Sequence, residues 1–220
     1  QPDFLVARAE KPLDKKRKDR LAMFCNMDSA DIISNPDLDS VYDVALKFDE
    51  QHFADRILKR FRLKPQNRDL KDWAKLAATV KTVEREIPIG LIGKYFATGD
   101  YILADVYLSV IESLKYAGWS HSIKPKFHWI DSEKIESDGA AKHLRGLAGV
   151  VVPGGFGSRG VEGIIQAIQY ARENKVPYFG LCYGMQLATV EVARHLANLA
   201  GAHTTEVNAK TRHPIIHIMP

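Results

Sequence analysis

At 220 residues with 45% hydrophobic side chains, the chain can bury one large core or two modest ones, which sets a disordered polymer aside. Its two cysteines, Cys25 and Cys182, are too few and too far apart for a disulfide framework or a zinc cluster, so a reducing, cytoplasmic setting is the simpler expectation. Much of the basic excess behind the net charge of +4 lies in Lys11–Arg20 and Lys59–Lys71 and does not continue onto other elements with interleaved aromatics, and no run approaches the roughly 20 apolar residues of a membrane span; neither nucleic acid nor membrane is expected as a partner.

The chain opens directly on a strand-like run, Phe4–Ala7, without an initiator methionine or a signal-peptide pattern, and reads as a fragment at this end. A helix is expected over Lys15–Phe24 with Asp14 as its cap, then a strand over Ala30–Ser34 and short helices near Val41–Leu46 and Gln51–Phe61. Asp69–Val83 follows a helical pattern with Trp73, Leu76, Ala77 and Val80 on one side. Beyond the polar stretch Lys81–Glu86 glycine usage rises, which places a domain boundary near residues 82–87 and divides the chain into 1–82 and 83–220.

The second part alternates strand-like and helix-like runs: IPIGLIG, Ala104–Tyr116, Lys126–Ile130, Ala148–Val152, Val161–Glu173, Val176–Leu181 and Gly184–Leu199. Short apolar strands separated by amphipathic helices predict an α/β fold, a mostly parallel sheet covered by helices on both faces. The last run, HPIIHIMP, lacks the elements that would finish a sheet, so this end also reads as truncated.

Active sites in such sheets lie beyond the carboxyl ends of the strands, and two glycine-bearing turns fall there: PGGFG (153–157) and CYG (182–184). In FGLCYGMQLA a strand runs into Cys182 and Gly184 lets the chain reverse into a helix whose buried side is expected to use Ala188, Val192, Leu196 and Leu199. That is the layout of a nucleophile elbow, and a helix N-terminus favours negative charge on a sulfur held there. Attack on a carbonyl creates an oxyanion; the N–H groups of Tyr183 and of Gly155 on the neighbouring turn can hold it, each such donor being worth about 3 kcal/mol. Alone, a cysteine is more often packing and a GGFG more often a simple turn. It is their shared strand-end position that points to chemistry.

The stretches LAMFCN, IGLIGKY, VYLSVIESLKYAG, VPGGFGSRGVEG, ARENKVPYFGLCYGMQLA, VARHLAN and TTEV together resemble the cytidine triphosphate synthases, a family of glutamine-dependent amidotransferases. The likeness runs along nearly the whole chain, from the last part of a P-loop-type synthetase (amidoligase) domain into about the first two thirds of a class I glutaminase domain. It implies that Cys182 attacks the glutamine side-chain amide, that Gly155 and Tyr183 supply the oxyanion hole, and that Gly184, Met185, Gln186 and Glu206 line the glutamine site, with Glu206 facing the substrate ammonium. It implies nucleotide contacts at Arg8, Arg20 and Asp37, Arg20 standing where many relatives have lysine, and effector or domain contacts at Lys94 and Tyr95. Cys25 is read as a small buried residue.

The activity so implied is amination of UTP to CTP, with ATP and Mg²⁺ activating the uracil oxygen, GTP activating glutamine hydrolysis, CTP inhibiting, and dimers assembling into tetramers. The connection FATGDYILAD is longer than in many relatives. The histidine base, its orienting carboxylate, the P-loop and the Mg²⁺ ligands are expected outside residues 1–220, and His203, His213 and His217 do not match the base; the fragment is expected to be inactive alone. Another glutaminase of the same class and a noncatalytic assembly or filament module are the alternative readings.

Overall fold

The computed structural model describes residues 2–65, 69–94, 97–98, 101–102 and 107–218. They form two compact units, Gln1–Val83 and Glu84–Pro220.

In the first unit, β1 (Leu5–Ala9) and β2 (Ile32–Pro36) pair in parallel, Leu5 opposite Ile32 and Ala9 opposite Pro36. Parallel neighbours need a crossover, which α1 (Lys15–Cys25) and a 3₁₀ turn at Ser29–Asp31 supply. Asp14 caps α1 as expected, its carboxylate accepting the Arg17 N–H at 2.8 Å, and left-handed Asn26 ends it. Helices α2 (Asp43–Glu50), α3 (Phe53–Arg60) and α4 (Lys71–Thr82) follow. Ile32 and Ile33 are fully enclosed. Gln51 acts as a one-residue strand beside β2: its Oε1 accepts from Ser34 N–H at 2.9 Å and its Nε2 donates to Ser34 O at 2.8 Å. On α4 only Ala77 is buried; Trp73 is 36% exposed, and its indole N–H donates to Tyr42 O at 2.7 Å.

The second unit is built on a four-stranded parallel sheet ordered β6–β3–β7–β8, where β3 is Glu86–Gly93, β6 Lys124–Asp131, β7 Gly149–Val152 and β8 Tyr178–Gly180. Between β3 and β6 lie a two-residue antiparallel pair, β4 (Ala97–Thr98) with β5 (Tyr101–Ile102), and helix α5 (Leu108–Ser120). On one face Leu91 and Val151 pack against Ile111 of α5. On the other, Ile92, Ile130, Val150 and Val152 meet α8 (Val161–Glu173) and α9 (Tyr183–His195) through Ile164, Ile168, Leu187 and Val190, joined by the short α6 (Ser132–Asp138) and α7 (Ala140–Leu144). Alternation along the strands delivers side chains to both faces, and helices cover both, the α/β arrangement expected.

Some boundaries move for identifiable reasons. The strand expected from Val176 starts at Tyr178, because Pro177 has no N–H for a ladder and Val176 N–H turns back to Ala171 O at 2.8 Å. Helix α9 stops at His195 rather than Leu199: Asn198 is left-handed and Leu199 N–H reaches back to Ala193 O at 3.0 Å. Its buried side is also another one. Tyr183, Leu187 and Val190 face inward, whereas Val192 and Leu196 are 45% and 56% exposed. Glu191, fully enclosed, is held by the Arg172 guanidinium and by His195 Nδ1 at 3.0 Å, so a carboxylate occupies a position that periodicity assigns to surface. The apolar end Pro214–Ile216 (β10) pairs in parallel with His203–Thr204 (β9).

The start of α9 rests on the end of β7. A Cβ on Gly184 would stand 2.3 Å from Val152 O, closer than any packing tolerates. Gly184→Ala is therefore expected to destabilise the protein by about 3 kcal/mol or more, as overpacking against backbone that cannot yield; the midpoint of a urea titration measures it.

Candidate active site

Strands β7 and β8 end side by side, and the chain leaving each one turns toward the other. After β8, Leu181 N–H still donates to Val152 O at 2.9 Å, and then the backbone bends sharply at Cys182, φ 49° and ψ −102°, before α9 begins at Tyr183. A side chain at that positive φ is strained, and such strain persists only where surrounding structure enforces it. Two close approaches enforce it here. A Cβ on Gly180 would lie 2.6 Å from Gly184 C, and Gly184 itself abuts Val152. Only glycines on both sides of Cys182 let strand and helix meet in so few residues. The Cys182 carbonyl is used, accepting Gln186 N–H at 3.0 Å, while the thiol side is exposed. Tyr178 OH donates to Gly184 O at 2.8 Å, and burial pushes its ionisation well above the ordinary tyrosine range, so the hydroxyl remains a donor.

The loop after β7 meets this bend. A Cβ on Gly154 would stand 3.6 Å from Cys182 Cβ, and one on Gly155 3.9 Å from Tyr183 Cδ1. The Gly155 N–H forms no hydrogen bond among the described residues. Tyr183 opens the first turn of α9, whose N–H groups carry the positive end of the helix dipole. Met185 is 56% exposed on the same turn and Gln186 is half-buried.

Glu206 reaches the loop from a distant part of the chain, its Oε1 accepting Gly157 N–H at 2.6 Å. Arg194 holds its approach: the guanidinium donates to Ala202 O at 2.7 Å and grips both oxygens of Glu162. Next along, His203 is buried; its Nδ1 accepts Thr204 N–H at 2.9 Å, which leaves the proton on Nε2, 3.5 Å from Glu162. Burial, then Arg194, lowers the His203 pKa below the usual histidine value, against the pull of Glu162.

The sequence reading missed what holds this loop. Lys94, expected to face an effector or another domain, is only 7% exposed. Its Nζ donates to Gly157 O at 2.8 Å and Phe156 O at 3.2 Å and lies 4.6 Å from the centre of the Tyr183 ring, while Arg159 donates to Lys94 O. Tyr183 OH completes the set, donating to Gly157 O at 2.5 Å. The signal available in sequence was a lysine one residue past an apolar strand. Nothing there told inward from outward.

The structure thus brings Cys182, Gly155, Tyr183, Gly184 and Glu206 to one set of strand ends, with Met185 and Gln186 on the adjoining turn. Tyr95 and most of the connection 96–105 lie outside the described residues. In the first unit, Arg8 and Asp37 form an exposed pair, Nε to Oδ1 at 3.0 Å. Arg20 is exposed on α1 and forms no ion pair with Asp37 among the described residues. Among the described residues no group of three His, Cys, Asp or Glu is placed to hold a metal ion. No helix among them is long and apolar enough to cross a membrane.

Residues 102–218 match the glutamine amidotransferase class-I family model, and residues 1–63 match the CTP synthase N-terminus. The whole chain is 42% identical over 220 residues to the CTP synthase of Listeria monocytogenes serotype 4b (strain F2365), and 45% identical over 221 residues to that of Staphylococcus saprophyticus. In both comparisons all of this chain is covered and 40% of the relative's length. Among solved structures, the glutaminase domain of Trypanosoma brucei CTPS with bound acivicin is similar at a TM-score of 0.55 and 35% identity, covering 60% of this chain and 50% of that one. The chain belongs to the class-I glutamine amidotransferase family, in the branch that carries a CTP synthase N-terminal domain ahead of the glutaminase.

Proposed function

We propose that the protein carrying this chain makes CTP from UTP, ATP and glutamine, and that this chain supplies the thiol that releases ammonia. The observation that carries the reading is the strained, exposed Cys182 at the N-terminus of α9, with Gly154 packed against its Cβ.

In the proposed reaction Cys182 Sγ, as thiolate, forms a bond to the side-chain carbonyl carbon of glutamine, and the carbonyl π electrons move to oxygen. Gly155 N–H and Tyr183 N–H hold that oxyanion. They come from two adjacent strand ends, and donors held in place before the reaction stabilise the developing charge without reorganisation in the step. Collapse of the tetrahedral adduct expels ammonia, once the amide nitrogen has taken a proton, and leaves a thioester; water then attacks the thioester, giving glutamate and free thiol. Gln186 offers an amide donor and acceptor to the substrate, Gly184 and Met185 line the same turn, and Glu206 faces the α-ammonium. The general base is a histidine oriented by a carboxylate, assigned by family likeness to the protein beyond residue 220. His203 is not suited to that role, since its Nδ1 is taken by backbone and its Nε2 faces Glu162.

Ammonia so released displaces phosphate from C4 of a UTP whose uracil oxygen has been phosphorylated by ATP. The products are CTP, ADP and phosphate. Arg8, Asp37 and Arg20 are assigned to nucleotide contacts. GTP activation, CTP inhibition, dimers forming tetramers, and a cytoplasmic location complete the reading; ATP and Mg²⁺ are cofactors of the full-length enzyme, the metal held by residues outside this chain.

Two experiments on the full-length protein test it. Cys182→Ala is expected to lower glutamine-dependent CTP formation by a factor on the order of 10³ or more while leaving the reaction with ammonium chloride near normal; equal loss of both would sink the nucleophile assignment. Glu206→Gln keeps an acceptor for Gly157 N–H but removes the charge, so KM for glutamine is expected to rise roughly tenfold to a hundredfold with a smaller change in kcat. Initial-rate kinetics with glutamine varied separate the two constants.

A further inference from the structure

We infer that Lys94 is a positioning residue for the glutaminase chemistry: with Glu206 it clamps the Phe156–Gly157 peptide from both ends, and so fixes the Gly155 N–H on the same loop. The inference rests on the reading of Cys182 and Gly155 proposed above.

The loop Pro153–Gly157 has to solve a conflict. Glycines at 154, 155 and 157 let it lie against the Cys182 bend, but they also remove the steric preferences that would hold it in one shape. Gly157 sits at φ +80°, a conformation other residues rarely adopt. Definition must come from outside the loop, and the contacts that supply it are charged.

Peptide planarity makes the clamp specific. Phe156 C=O and Gly157 N–H belong to one rigid plane and point in opposite directions. The ammonium of Lys94 sits on the oxygen end at 3.2 Å and the carboxylate of Glu206 on the hydrogen end at 2.6 Å. Each charge matches the end of the peptide dipole it meets, so rotating that plane breaks both contacts at once. Lys94 also takes the next carbonyl, Gly157 O, at 2.8 Å. Tyr183 shares that oxygen through its hydroxyl and places its ring beneath the ammonium. Tyr183 also bears the other proposed oxyanion donor on its backbone. The network therefore ties the two donors to each other through side chains, across two strand ends.

A lysine is seldom this buried without a carboxylate partner. Lys94 forms no ion pair among the described residues; two carbonyls and an aromatic face compensate its charge at close range. Burial lowers its pKa from the ordinary lysine value, and Glu206 pulls it back up. Both hydrogen bonds that the Lys94 ammonium donates among the described residues go to the loop.

The test uses the full-length protein with Lys94→Met, which preserves length and loses the charge, and Lys94→Arg. For Lys94→Met, kcat for glutamine hydrolysis is expected to fall by at least about tenfold, with KM within about twofold of wild type and ammonia-dependent CTP formation unchanged. Alkylation of Cys182 by iodoacetamide, a displacement that needs the thiol but no oxyanion hole, should keep its wild-type rate. Lys94→Arg should recover part of kcat. An unchanged kcat in Lys94→Met overturns the inference, as does a parallel fall in kcat and alkylation, which would mark general unfolding of the site. If Lys94→Met does not fold, Tyr183→Phe decides: it retains the ring and the backbone N–H but loses the bond to Gly157 O, so kcat should drop about threefold or more at constant KM, and full activity overturns the clamp. A wild-type protein without glutaminase activity removes the underlying reading and the clamp with it, whereas active wild type with an indifferent Lys94→Met removes the clamp alone.

Discussion

The backbone of α9 approaches the backbone of β7 more closely than any side chain would permit, and the geometry at the strand ends follows from that approach. With no Cβ at Gly180 or Gly184, β8 can hand over to α9 within three residues, and the residue between them is forced into a positive φ. A cysteine there cannot fold back into the sheet, because both faces of the sheet are already filled by Val150, Val151 and Val152 with their helices. It projects instead from the carboxyl edge, at the positive end of a helix dipole. The strain at Cys182 is compensated by the burial of Tyr183, Leu187 and Val190 below it. Exposure of the sulfur and enclosure of the helix are two consequences of one turn.

How much of this was legible in sequence depends on whether the determinant was local. The parallel strands, helix α8 over Val161–Glu173, the Asp14 cap and the bend at Cys182 were readable because apolar runs, a cap residue and a glycine pair are short-range signals. The inner face of α9 was not. Apolar residues occur on two sides of that helix, and the side that wins carries Glu191, whose burial depends on Arg172, nineteen residues earlier on α8, and on His195. Helices α6 and α7 were missed for a different reason: SEKIESD and AAKHL are too short to display a period, and only Ser132, Ile135 and Leu144 are buried from them.

The first unit shows the same limit from the side of charge. Lys11–Arg20 reads as a predominantly basic run, yet one of its lysines differs: Lys18 turns toward Gln51, at 3.3 Å, and its pKa is lowered by burial and then by Arg56. Neighbouring Lys15, Lys16 and Arg20 remain exposed on α1. Arg8 and Asp37, proposed as nucleotide contacts, hold each other at the ends of paired strands, a juxtaposition that parallel register between β1 and β2 dictates, since Arg8 lies opposite Asn35 and Asp37 follows β2 by one residue. An exposed pair of this kind contributes little to stability, so it can open to a ligand at small cost.

Glu206 carries two duties in the proposed site, and they need not compete. A carboxylate has two oxygens and about four acceptor positions, of which Gly157 N–H occupies one. An ammonium can be accepted on the remainder without releasing the peptide, because the free lone-pair positions point away from Gly157 N–H. The carboxylate then reads the substrate's charge with the same group that shapes the oxyanion loop. Arg194 holds the approach to Glu206, binding Ala202 O and Glu162 together. Arg194 thus fixes where the chain bearing the anion runs, and the anion in turn meets Gly157 N–H, so the carboxylate links that anchored segment to the oxyanion loop.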